Sequence, residues 1–164
     1  METLTAPKRH RPADRSGSAK VEASAPAQTS AFASSDLERA AQIYRAYGGL
    51  VRRDVLARLL SRGCDDPTAR LARWIVAHDV VAFRRNGALV LPLFQFDLAE
   101  ARVLPAVRAA CRELSTASGD DAVAVWFTRP SGWLLGESPL ERIASDPCGV
   151  VEAALADRSI ADER

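Results

Sequence analysis

The chain has 164 residues, 22 Lys and Arg against 21 Asp and Glu, two His and three Cys. That length suits one domain or two small ones, and no run approaches the roughly 18 apolar residues of a membrane span, so a cytoplasmic protein is expected. The net charge of +1 conceals a segregation: residues 1–96 carry 15 basic and 9 acidic side chains, residues 97–164 carry 7 and 12, which suits the first half to polyanions and the second to something else.

Residues 1–35 hold 21 Ala, Ser, Thr, Pro or Gly and few larger apolar groups. Such a segment buries too little surface to offset its ordering entropy, so a disordered tail is expected. Its basic residues Lys8, Arg9, Arg11, Arg15 and Lys20 are not followed by the apolar core of a secretory signal. They read as a solvated tail or as an arm grazing phosphates. Ser35-Asp36 reads as a helix cap, after which Leu37, Ala40, Ala41, Ile43, Tyr44 and Tyr47 recur at helical spacing until Gly48-Gly49. A second helix is predicted over 51–61, a turn over 62–65 and a third helix over 67–78, started by Asp66-Pro67 and burying Leu71, Trp74 and Ile75. The period then shortens. Val80-Val81-Ala82-Phe83 and Ala88-Leu89-Val90-Leu91 flank Asn86-Gly87, a hairpin signature. Residues 36–97 thus read as a helix-turn-helix with a small wing.

Beyond Asp97 the pattern is helical. One helix opens at Pro105 with Val107, Ala110, Cys111 and Leu114 inward, and Gly119 breaks it. Asp120-Asp121 is read as the cap of the next, which carries Val123, Trp126 and Phe127 and ends at Pro130-Ser131-Gly132. An apolar turn, Trp133-Leu134-Leu135-Gly136, leads to a capped start at Ser138-Pro139-Leu140-Glu141, and Asp146-Pro147 opens the last helix. Residues 98–160 therefore read as a compact helical module, and the chain as mainly α.

With Leu71 and Ile75 inward, Arg70 and Arg73 fall on the outer side of the third helix, with Thr68 near its start. A helix so equipped suits a major groove. Arg52, Arg53, Arg84 and Arg85 would flank it on phosphates. The same arginines also describe a plain solvated face. Cys64, Cys111 and Cys148 are far apart with no Cys-x-x-Cys, which points to reduced thiols rather than a disulfide or zinc site. No acid, base and nucleophile assemble and no Gly-rich phosphate loop occurs, so no catalytic residue, metal or cofactor is expected. Trp133, in a turn flanked by Gly and Pro, is either packing or an interface anchor.

The stretch VVAFRRNGALVLPLFQFD, from Val80 to Asp97, resembles the wing and P-x-x-Q-F segment of bacterial antitoxins of the Xre/MbcA/ParS type. WFTRPSGWLLGESPL, from Trp126 to Leu140, resembles the toxin-binding module of the same family, and the likeness in motif order spans residues 48–158. It implies a partner toxin of the RES-domain class, which consumes NAD and whose active site the helical module occludes. It also implies operator DNA bound by the helix-turn-helix, as a homodimer or within a larger complex with toxin. Carried onto this chain, the partner-binding residues are Pro130, Trp133, Leu134, Leu135, Gly136, Glu137, Pro139 and Leu140. Two other readings stay open: a stand-alone regulator with a helical dimerisation module, and a helical interaction module that binds no DNA.

Overall fold

The first helix, α1, spans Ala27–Tyr44 in the computed structural model, which describes residues 27–63 and 65–163. It starts well before the predicted cap, so Ser35 and Asp36 lie inside a helix. The segment from 27 to 44 contains neither Gly nor Pro and is rich in Ala, which lets the helix run on toward Pro26. Residues 1–26 of the expected disordered tail lie outside the described residues. Gly48 and Gly49, both at positive φ (93° and 80°), end the helical run, and the Gly49 N–H donates to Tyr44 O at 2.9 Å.

A short strand follows that periodicity did not predict, β1 (Leu50–Arg52). Then come α2 (Arg53–Leu60), a 3-10 turn and α3 (Pro67–Val76), whose cap Asp66 accepts from the Ala69 N–H at 2.9 Å. The predicted hairpin is present as β2 (Phe83–Arg85) and β3 (Ala88–Pro92), turned by Asn86 and Gly87 at φ 51° and 76°. Positive φ at both central residues is what a two-residue hairpin turn of matching twist requires. β1 pairs antiparallel with β3 on its other side, giving the order β1-β3-β2. Val80–Ala82, expected to extend the first hairpin strand, is buried but unpaired with the sheet. A second small hairpin, β4 (Phe96–Asp97) with β5 (Arg102–Val103), also went unpredicted.

The remainder is helical: α4 (Pro105–Ser115), α5 (Asp120–Trp126), α6 (Pro139–Arg142) and α7 (Pro147–Asp162). Gly119 rather than Asp120 occupies the cap of α5, and the two aspartates sit in its first turn, where they complement the helix dipole. Asp146 caps α7 as read, accepting from the Gly149 N–H at 2.9 Å. The chain is mainly helical with a three-stranded antiparallel sheet, and no helix among the described residues is long and apolar enough to cross a membrane.

One cluster of buried side chains runs through both halves, from Ala40 in α1 to Ala154 in α7. Tyr44 stacks on Phe94 (5.6 Å between centroids, 7° between planes), Phe94 meets Phe127 at 5.4 Å, and the Tyr44 hydroxyl donates to Ala124 O at 2.6 Å. The boundary near residue 97 thus separates surfaces rather than cores. Gln95, fully buried, closes the junction. Its amide nitrogen donates to Val81 O and Pro92 O, both at 2.9 Å, and its oxygen accepts from the Val81 N–H at 2.7 Å. These bonds satisfy the backbone of Val81, which no strand partner reaches.

Removing that side chain orphans buried backbone groups at about 1–3 kcal/mol each. Gln95→Ala is therefore expected to lower unfolding free energy in urea by at least about 3 kcal/mol. A loss below about 1 kcal/mol would contradict the role assigned to Gln95.

A candidate docking loop and a basic face

The loop between α5 and α6 is short and cross-linked by its own backbone. The Ser131 N–H donates to Glu137 O and the Gly136 N–H to Ser131 O, each at 2.9 Å; Leu134 donates to Ser131 O and Glu137 to Leu134 O, each at 3.1 Å. At its far foot the Leu140 N–H donates to Phe127 O at 2.9 Å. Ser138 and Glu141 form a full capping box, with the Glu141 carboxylate accepting from the Ser138 N–H and hydroxyl at 2.7 Å. Those bonds hold the Glu141 carboxyl below its ordinary pKa.

This frame sorts the residues assigned to partner binding. Leu134, Pro139 and Leu140 are buried and anchor the loop in the core, so they are not contact surface; sequence pattern cannot tell an anchor from a tip. Pro130, Trp133, Leu135, Gly136 and Glu137 are exposed, and Glu137 pairs with Arg142 at 3.5 Å. Leu135 is 90% exposed and sits at φ 58°, ψ 29°, a left-handed conformation that a branched apolar residue rarely adopts. An apolar side chain held out in water on a strained backbone gives the fold nothing. Such strain collects at functional positions. Trp133 is 58% exposed, and its indole N–H donates to Asp157 Oδ1 at 3.0 Å. Beside the loop, a cleft of about 360 Å³ opens between α1 and α5, lined among others by Arg39, Tyr47, Arg129 and Pro130.

The residues assigned to DNA are also divided. Arg70 is half-buried and donates to Ala101 O at 3.2 Å, because α3 packs against the β4–β5 connection. Arg85 is held by Glu38 of α1 through two bonds (3.1 and 2.5 Å), and Arg52 pairs with Asp54 at 3.3 Å. Arg70 and Arg85 are thus engaged within the fold, whereas the Arg52 pair is exposed on both sides and holds that side chain only weakly. Arg53, Thr68, Arg73 and Arg84 are exposed, and the three arginines make no ion pair among the described residues. Sequence reading missed Arg58 and Ser61, which share with Arg53 and Thr68 the rim of a groove of about 320 Å³ at the start of α3. Arg58 stands four residues after Asp54 and pairs with it at 3.7 Å, a spacing that could have placed it on this rim.

Compared with protein-family models, curated proteins and solved structures, the chain matches none. The reading of the two surfaces therefore rests on their geometry. The cysteines add nothing to either. Cys111 is buried and its thiol is pushed well above the ordinary range, chiefly by desolvation; Cys148 is exposed, and Cys64 lies outside the described residues.

If Leu135 serves a partner and not the fold, Leu135→Gly should stabilise the isolated protein. Relief of the left-handed strain is expected to add about 0.5–1 kcal/mol in urea unfolding. A loss of more than about 1 kcal/mol would mean the side chain packs in the folded state.

Proposed function

We propose that this chain is an antitoxin of the Xre/MbcA/ParS type, which docks on a RES-domain toxin through the loop carrying Trp133 and Leu135. The observation that carries the proposal is Leu135 itself: an almost wholly exposed leucine in a left-handed conformation, on a loop whose backbone is already closed by hydrogen bonds. Beside it stands Trp133, 58% exposed and of a residue type in which interface hot spots are enriched, and a preformed loop avoids the ordering cost of binding. The acidic balance of residues 97–164 favours a basic surface opposite, such as the cleft of an enzyme that consumes NAD.

The same proposal gives the other half an operator-binding role. The order α1-β1-α2-α3-β2-β3, with β1 and β2 flanking β3, supports a helix-turn-helix with a wing. Arg73 on α3 and Arg84 on β2 would approach the duplex, with Arg53, Arg58, Ser61 and Thr68 at the start of α3 as backbone contacts. One observation favours a module without DNA binding: apart from Arg73 and Thr68, the outer face of α3 presents Ala72 and Val76, the latter 81% exposed.

Co-expression with a RES-domain toxin tests the first role. The wild-type chain should preserve cellular NAD and growth, whereas Leu135→Asp should lose neutralisation by more than tenfold while remaining folded. Full neutralisation by that variant would exclude the loop as the docking site. The second role is read by mobility shift on the chain's own promoter. Arg73→Ala and Arg84→Ala should each weaken binding and reduce the salt slope by about 1. Unchanged shifts at moderate salt would leave the helical module as the functional part.

A further inference from the structure

We infer that Asp157 is a positioning residue that fixes Trp133 and thereby decides which part of that side chain a partner touches. The inference rests on the docking reading above. Asp157 lies on α7, and its carboxylate is shared between two indoles: Oδ1 accepts from Trp133 Nε1 at 3.0 Å and Oδ2 from Trp126 Nε1 at 2.7 Å. Trp126 in turn stands edge-on to the buried Phe127, 5.0 Å between centroids and 87° between planes. The exposed tryptophan is thus referenced to the core through one carboxylate and a second, half-buried ring.

An indole has a single donor and no acceptor. With that donor occupied by a charged acceptor, the stronger kind of hydrogen bond, Trp133 has no polar group left for a partner. What remains in solvent is the face and edge of the ring. A ring face beside a carboxylate takes an apolar or a cationic group, above all a guanidinium, and not a hydrogen-bond acceptor. Tethering also removes rotamer freedom before docking, so the ordering cost is met when the protein folds rather than when it binds.

The test uses the full chain in two measurements. In proton–nitrogen NMR of the free protein, the Trp133 indole N–H should exchange slowly with water, and Asp157→Ala should bring it to the rate of a solvated indole. Fast exchange already in the wild type would overturn the inference without touching the docking reading. Affinity for the RES-domain toxin should fall about two- to tenfold in Asp157→Ala. It should fall no further when Asp157→Ala is added to Trp133→Phe, which already lacks the donor. An equal loss in both backgrounds would reduce Asp157 to a structural part of α7. If the wild type binds and Asp157→Ala binds equally well, only the positioning role fails. No binding by the wild type removes the docking reading and this inference together.

Discussion

The amide of Gln95 is the constraint on which the arrangement depends. The segment from Val80 to Ala82 must pass through the centre of the molecule to bring the chain from α3 into the sheet, and it does so as extended backbone without a strand neighbour. Buried backbone without partners is costly. Gln95 supplies what the missing strand would, one donor and one acceptor to Val81, and ties them to the end of β3 at Pro92. Its neighbours Phe94 and Phe96 carry the ring contacts outward, one to Tyr44 and Phe127, the other to Trp74. Phe94, Gln95 and Phe96 thus join α1, α3, the sheet and the end of α5.

A shared core makes the two surfaces of the molecule fixed relative to each other. Further cross-ties act on the same junction. Asp79, 5% exposed, lies between Arg112 of α4 (2.5 Å) and Arg108 (3.6 Å), and Arg129 beside the docking loop pairs with Asp36 of α1. Gly63, in the turn before α3, comes so close to Ala101 that an added Cβ would stand 2.9 Å from the alanine methyl. The turn of the N-terminal half is therefore fitted to the β4–β5 hairpin. Charge is unevenly divided along the sequence while apolar packing is continuous between the two halves.

Features encoded locally were legible in the sequence. Asn86-Gly87 marked its hairpin, and Asp66-Pro67, Ser138-Pro139 and Asp146-Pro147 each marked a helix start, because cap and turn chemistry acts within four residues. What escaped depended on distant partners. β1 is three residues long and becomes a strand only through β3, some forty positions away. The engaged arginines escaped for the same reason: Arg85 meets Glu38 and Arg70 meets Ala101 across the fold, which neither helical spacing at Arg70 nor a hairpin position at Arg85 shows. Within the loop between α5 and α6, the order of residue types was readable but the division between Leu134, buried, and Leu135, exposed, was not. That division comes from one left-handed residue, and neither leucine announces it.

Under the proposed docking, a partner protein meets the loop of Trp133 and Leu135 and not α3 or the hairpin. Hydroxyl-radical footprinting of the full chain, alone and mixed with the RES-domain toxin proposed as its partner, tests this side chain by side chain. If the loop is the docking site, labelling of Trp133 and Leu135 should fall sharply in the complex while that of Val76 on α3 stays unchanged. Protection of Val76 with undiminished labelling of Trp133 and Leu135 would contradict it.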